Sequence, residues 1–198
     1  MLAFQASIGM NVMPYVYSSF QKAPQISTAN ILASIIGGVV KLPVAKTLNI
    51  WGRAEGFLVF IIVYLVGMVI LATCNGPNGY AAGYVIYYIG YDAIYLIMNI
   101  FIADASGMRN RAFAFTFVQT PFICTAFAGP LAAQSFLPSW RWAFGTFAII
   151  MPVVFSPVVG IFFYFQRKAE REGILTREGS GRTICQSIMH YVSEFDRK

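Results

Sequence analysis

Asp92 is an isolated charge on a helical face shared with Tyr84, Tyr87, Tyr88, Tyr91, Tyr95 and Asn99. At 100° per residue these seven positions fall within an arc of about 140°, whereas Val85, Ile86, Ile89, Ile97 and Ile100 lie outside it. A carboxylate among phenols can take up and release a proton, or serve as hydrogen-bonded glue between helices with a tyrosine as its partner. Five phenols on one face suit a large polar ligand with an apolar body; packing is the plainer role for such rings. A second stripe, Thr116, Gln119, Thr120, Ile123, Phe127, Pro130 and Gln134, repeats the pattern more weakly. The candidate substrate or proton-pathway residues are therefore Asp92, Tyr84, Tyr88, Tyr91, Tyr95, Asn99, Gln119 and Gln134. Lys41 either snorkels to the interface, the commoner behaviour of a lysine near a helix end, or faces the same cavity.

Other chemistry is not legible. Cys74, Cys124 and Cys185 are scattered and His190 stands apart from them, so no disulfide framework or metal-spaced cluster emerges. No nucleophile–base pair or phosphate loop appears, which argues against an enzyme and against a bound cofactor. The net charge of +6 comes without a basic aromatic patch, so nucleic acid is not an expected partner.

The elements that must position Asp92 follow from composition. The 198 residues are 58% hydrophobic and 11% charged, against roughly 25% charged in a soluble domain. Leu58–Gly90 and Ala112–Trp140 contain no Asp, Glu, Lys or Arg, and about 20 apolar residues suffice to cross a bilayer as a helix. The chain reads as an all-α, multi-pass membrane protein with spans at about 1–20, 26–48, 56–74, 80–103, 112–136 and 141–165. The breaks carry Lys22-Ala23-Pro24, Asn75-Gly76-Pro77-Asn78-Gly79 and Leu137-Pro138-Ser139. A bundle over 1–165 and a polar tail over 166–198 are the expected divisions. The opening run is not a signal peptide, because it lacks a basic start and is interrupted by Gln5, Asn11 and Pro14. The first helix is expected to be incomplete at Met1.

Orientation follows from the basic residues. Lys46, Arg53, Arg109, Arg111, Arg167, Lys168, Arg171, Arg177, Arg182, Arg197 and Lys198 fall on one side, and only Lys22 and Arg141 on the other. The richer side, with the N-terminus and tail, is expected to be cytoplasmic. Asp92 then lies about 12 residues, or about 18 Å, from the outer end of its helix, where a carboxylate costs about 2.5–3.5 kcal/mol on insertion scales. Arg141, between Trp140 and Trp142, suits the headgroup region, where aromatic belts form.

The turn between spans two and three, Asn49-Ile50-Trp51-Gly52-Arg53, resembles the D-x-x-G-R-type motif of the major facilitator superfamily. Lys41–Lys46 (KLPVAK) followed by Ile50–Gly56 (IWGRAEG) resembles the fungal siderophore–iron transporter branch. So do Pro14–Phe20, Phe101–Ser106, Asn110–Ala112, Phe127–Phe136, Trp140–Gly145, Ser180–Thr183 and Glu194–Asp196. The resemblance implies a six-helix bundle forming one half of the major facilitator fold and belonging to a fourteen-helix protein. It further implies uptake of ferric siderophores with protons, iron arriving inside the ligand rather than on a protein site. Partners would be the bilayer and a second helical bundle, and the location a plasma or vesicle membrane. Asn49, Gly52, Arg53 and Glu55 would form a conformational latch, although the family usually has an acid where this chain has Asn49. The arginine common in helix four of many members is replaced here by the tyrosine stripe. Gly129-Pro130 and Trp140-Arg141-Trp142 also occur in fourteen-helix drug–proton antiporters, the alternative within transport. A truncated, non-transporting membrane protein is the alternative outside it.

Overall fold

The computed structural model describes residues 1–20, 23–51, 53–107 and 109–171. These form six long helices: α1 (Leu2–Phe20), α2 (Ala23–Trp51), α3 (Arg53–Thr73), α4 (Pro77–Ala105), α5 (Arg111–Phe136) and α6 (Trp140–Arg171), with a 3₁₀ turn over Leu137–Ser139. The chain divides into two units, Met1–Phe162 and Phe163–Lys198, and α6 runs from the first into the second. Five of the helices are long and apolar enough to cross a membrane; α1, diluted by Gln5, Asn11 and its serines, is not among them.

α2, α4 and α6 extend past their apolar runs at both ends because a chain leaving hydrocarbon for headgroups keeps its internal hydrogen bonds. α4 starts three residues before the expected 80, inside the breaker: Gly76 is extended, Pro77 occupies the first turn, where a missing N–H costs nothing, and Tyr80 N–H bonds back to the Gly76 carbonyl at 3.0 Å. Pro14, Pro43, Pro121, Pro130, Pro152 and Pro157 all lie inside helices. Membrane helices tolerate this where neighbours re-satisfy the freed carbonyls.

Two modes of packing hold the first unit together. Small residues bring some backbones very close. α4 lies against both α2 and α3, and α1 lies against α5. A Cβ added at Gly90 would stand 2.6 Å from the Tyr64 backbone, and one at Gly67 would stand 2.5 Å from the Tyr87 Cα, so α3 and α4 interlock reciprocally. This is the small-residue approach of membrane helices, where dispersion and hydrogen bonds replace hydrophobic collapse. α6 joins through rings instead. Phe147 meets Phe4 of α1 at 6.1 Å, Phe155 meets Phe57 of α3 at 6.0 Å, and Phe162 stacks on Phe101 of α4 at 4.3 Å.

Between α1 and α5, Ser7 Oγ donates to the Thr125 carbonyl at 3.1 Å, and a Cβ on Gly129 would overlap the Ser7 side chain. Gly129→Ala is therefore expected to displace Ser7 and destabilise the bundle by about 1–3 kcal/mol, as overpacking does. Adding Ser7→Gly should recover much of the loss, measured as thermal stability in detergent. Equal stability of the Gly129→Ala variant and the parent would refute the close approach.

The outer faces suit lipid. Ile31, Leu32, Ile35, Val39 and Leu42 of α2 are exposed, as are Phe113, Phe117, Phe122, Ile123, Phe127 and Leu131 of α5. Apolar surface on this scale is a liability in water and a match for hydrocarbon.

Candidate functional site

The α4 stripe is assembled as the helical spacing requires, but its members face four different helices, α1, α2, α3 and α5. One edge turns inward. Tyr87 is buried and donates its hydroxyl to Gln5 Oε1 of α1 at 2.9 Å, and Tyr64 of α3 donates to the same oxygen at 3.2 Å. The Gln5 amide reaches Met68 Sδ at 3.8 Å. Gln5 is thus a fully buried hub tying α1, α3 and α4. Read along the sequence, it was an interruption of an apolar run. A polar residue inside an otherwise apolar helix is itself the available signal, because in hydrocarbon such a group must find partners.

The opposite edge meets α2. Asp92 Oδ2 lies 3.0 Å from Lys41 Nζ, with side-chain exposures of 16% and 48%. The partner of Asp92 is therefore a lysine of another helix rather than a neighbouring tyrosine, and Lys41 reaches across to α4. Gly37 explains this. A Cβ there would stand 3.0 Å from Asp92 Oδ2 and 3.1 Å from the Tyr88 ring, so its absence lets α2 close on α4. Lys41, one turn on from Gly37 and on the same face, then reaches the carboxylate.

Between these edges the rings form a ladder. Tyr80 and Tyr84 stack at 6.1 Å, Tyr84 meets Tyr88 at 6.0 Å, and Tyr87 stacks on Tyr91 at 6.1 Å. Tyr84, Tyr88 and Tyr91 remain half-buried, and Tyr95 is exposed. Packing and an open surface therefore coexist on the stripe. Gln119 Nε2 of α5 donates to the Tyr95 hydroxyl at 2.8 Å, which joins the second stripe to the first. Asn99 is half-buried two turns below Asp92. Gln134 is exposed and lies about 22 Å along α5 from Gln119, so it does not join the others.

Of the latch residues, Gly52 and the side chains of Asn49 and Arg53 lie outside the described residues. Glu55 is half-buried and engaged, as is Lys46. The motif's final glycine has a packing role: a Cβ at Gly56 would stand 2.5 Å from Leu48 Cδ2, where α2 and α3 converge. At the start of α6, exposed Arg141 lies over the Trp140 ring at 5.4 Å, and Trp142 is also exposed, an arrangement of the belt type. No group of three or more metal-ligating side chains occurs among the described residues.

The described residues thus place an ion pair within apolar helices, beside phenols and an amide. The chain is 63% identical over 198 residues to siderochrome iron transporter 2 of Aspergillus fumigatus, covering 99% of this chain and 33% of that protein. It is 41% identical over 194 residues to MFS siderochrome iron transporter 1 of Ajellomyces capsulatus, covering 97% and 33% respectively. To siderophore iron transporter mirB of Emericella nidulans it is 39% identical over 196 residues, covering 98% and 32%. The chain thus spans about a third of the length of the relatives it matches. No solved structure matches it. The family model described as Major Facilitator Superfamily matches residues 1–194. With that match running nearly end to end, over a chain in which five described helices are long and apolar enough to cross a membrane, this chain belongs to the major facilitator superfamily.

Proposed function

We propose that this chain is the N-terminal helical bundle of a proton-coupled transporter that moves ferric siderophores across a membrane by alternating access. The observation that carries the reading is the Lys41–Asp92 pair at the middle of α4, 3.0 Å apart on the open side of the tyrosine stripe. Intramembrane ionisable residues are costly, and they mark substrate and ion pathways. Transporters of this kind place their sites near the bilayer midplane, between two bundles. The names of the relatives supply the cargo. The iron is substrate, carried within its chelator, and no resident metal or enzymatic step is invoked. The excess of Lys and Arg on one side supports a cytoplasmic N-terminus and tail in a plasma or vesicle membrane.

In this mechanism Asp92 is the proton partner. Tyr84, Tyr88, Tyr91, Tyr95, Asn99 and Gln119 offer hydrogen bonds to chelate oxygens, and the turn with Asn49, Gly52, Arg53 and Glu55 latches one conformation. In cells lacking other iron transporters, the complete protein is expected to import ⁵⁵Fe-labelled siderophore faster at acidic pH and to lose this when a protonophore is added. Asp92→Asn should lower uptake by at least about fivefold, the lower end of coupling between sites, and flatten its dependence on external pH. Unaltered uptake and an unaltered pH profile would remove Asp92 from the proton path.

A further inference from the structure

We propose that the Lys41–Asp92 pair sets which net charge of chelate is accepted: paired, it favours an uncharged, oxygen-rich ferric complex and rejects an anionic one. This rests on the transport reading above. Among the described residues, Lys41 and Asp92 are the only charged side chains in the body of the apolar helices. Lys46, Glu55, Asp104, Arg111 and Arg141 all sit within a turn or two of a helix end. At 3.0 Å the two charges cancel, and the site carries no net charge from these helices. The other polar side chains along the stripe, Tyr84, Tyr88, Tyr91, Tyr95 and the Gln119 that bonds Tyr95, are not charged residue types.

The geometry also gives the pair a direction. Asp92 is the more enclosed member, against Gly37 and Tyr88, while the Lys41 side chain is half exposed. A ligand entering along the stripe meets the cation first, with its charge already satisfied from behind. A ferric trihydroxamate, whose three singly negative groups balance Fe³⁺, can accept hydrogen bonds from phenols and ammonium without bringing net charge into a low dielectric. An added carboxylate brings a net charge that a site already balanced within itself does not compensate, and poor solvation opposes it. Removing one member of the pair leaves the other as a fixed charge of known sign. A pair that merely bridges α2 and α4 would alter stability on removal and leave ligand preference alone.

Ferrioxamine B and its N-acetyl and N-succinyl derivatives share one ferric trihydroxamate body and carry charges of +1, 0 and −1. Uptake ratios among the three, measured on the complete transporter, cancel differences in expression or folding yield. The wild type is expected to prefer the uncharged form over the anionic one, and Asp92→Asn should shift that ratio toward the anion by on the order of tenfold, the size of one charge at site distances in a medium of intermediate dielectric. Lys41→Gln should shift it toward the cation. The double variant, again without fixed charge, should return to the wild-type order, and it keeps the test open where a single variant inserts poorly. Ratios unchanged in both single variants would overturn the proposal. Failure of every ferric chelate to enter would defeat the transport reading instead.

Discussion

Gly90→Ala is expected to force the α3–α4 pair apart. The new Cβ would stand 2.6 Å from both N and Cα of Tyr64. Those are backbone atoms, so no side-chain rotation relieves the overlap, and the helices must separate. Separation weakens dispersion along the whole contact, since even a gap of 0.5–1 Å forfeits roughly a quarter to a half of each well. It also pulls the Tyr64 and Tyr87 hydroxyls away from Gln5, which holds them at 3.2 and 2.9 Å. A cost at or above the upper end of about 1–3 kcal/mol for overpacking follows, with roughly 2–4 °C of melting temperature lost per kcal/mol at this size. Gly67→Ala, which meets the Tyr87 backbone, should behave alike. Gly38→Ala is the control: it lies in a helix, is exposed, and has nothing within 4 Å of its added Cβ. Fluorescence-detected size-exclusion melts should separate Gly67 and Gly90 from Gly38. A Gly90→Ala protein that melts with the parent would refute the interlocked packing.

Gln5→Ala is expected to follow closely in size. In a water-soluble core, orphaning two hydroxyls costs about 1–3 kcal/mol each. In membranes the average side-chain hydrogen bond measures only about 0.6 kcal/mol, because the unfolded state in lipid also finds partners. The membrane figure governs Gln5→Leu, which keeps the volume, and gives roughly 1 kcal/mol for the two bonds. Gln5→Ala adds an unfilled cavity among Tyr64, Met68 and Tyr87, worth about 2 kcal/mol or more on the scale of large-to-small core changes. The expected order of stability is therefore wild type, then Gln5→Leu, then Gln5→Ala. Combining Gln5→Leu with Tyr64→Phe and Tyr87→Phe should return most of the loss, since removing all partners together leaves no orphan. Equal melts for wild type and Gln5→Leu would show that the network does not stabilise the bundle.

The helices were legible because hydrocarbon imposes a one-dimensional rule. A backbone crossing it must satisfy its own hydrogen bonds, so about 20 apolar residues between breakers can hardly be anything but a helix. Ala112–Phe136 was expected and Arg111–Phe136 is observed; the break expected at Asn75–Gly79 narrows to 74–76, with Pro77–Gly79 forming the first turn of α4. The α6 boundary was less legible. Apolarity ends at Phe165, yet the helix continues to Arg171, because helix formation outlasts contact with lipid. The seven-residue stripe on α4 was likewise readable, since positions on one helix share a face by arithmetic alone.

Which neighbour each part of that stripe would meet was not readable. Tyr87 and Asp92 belong to one arc, yet one is sealed against Gln5 and the other pairs with Lys41. The choice depends on where two backbones touch. Gly37, Gly67 and Gly90 set those contacts by lacking a side chain, and an absent atom leaves no trace in hydropathy or charge. Lys41 looked like a snorkelling residue because its distance along α2 is a property of the sequence, whereas its distance from Asp92, 51 positions away, is a property of packing. Composition and periodicity thus carried the class of protein, its helices and the polar face. The contacts that turn that face into a charge-balanced site arose only when the helices closed on one another, because side-chain pairing across helices follows from backbone approach and not from local sequence.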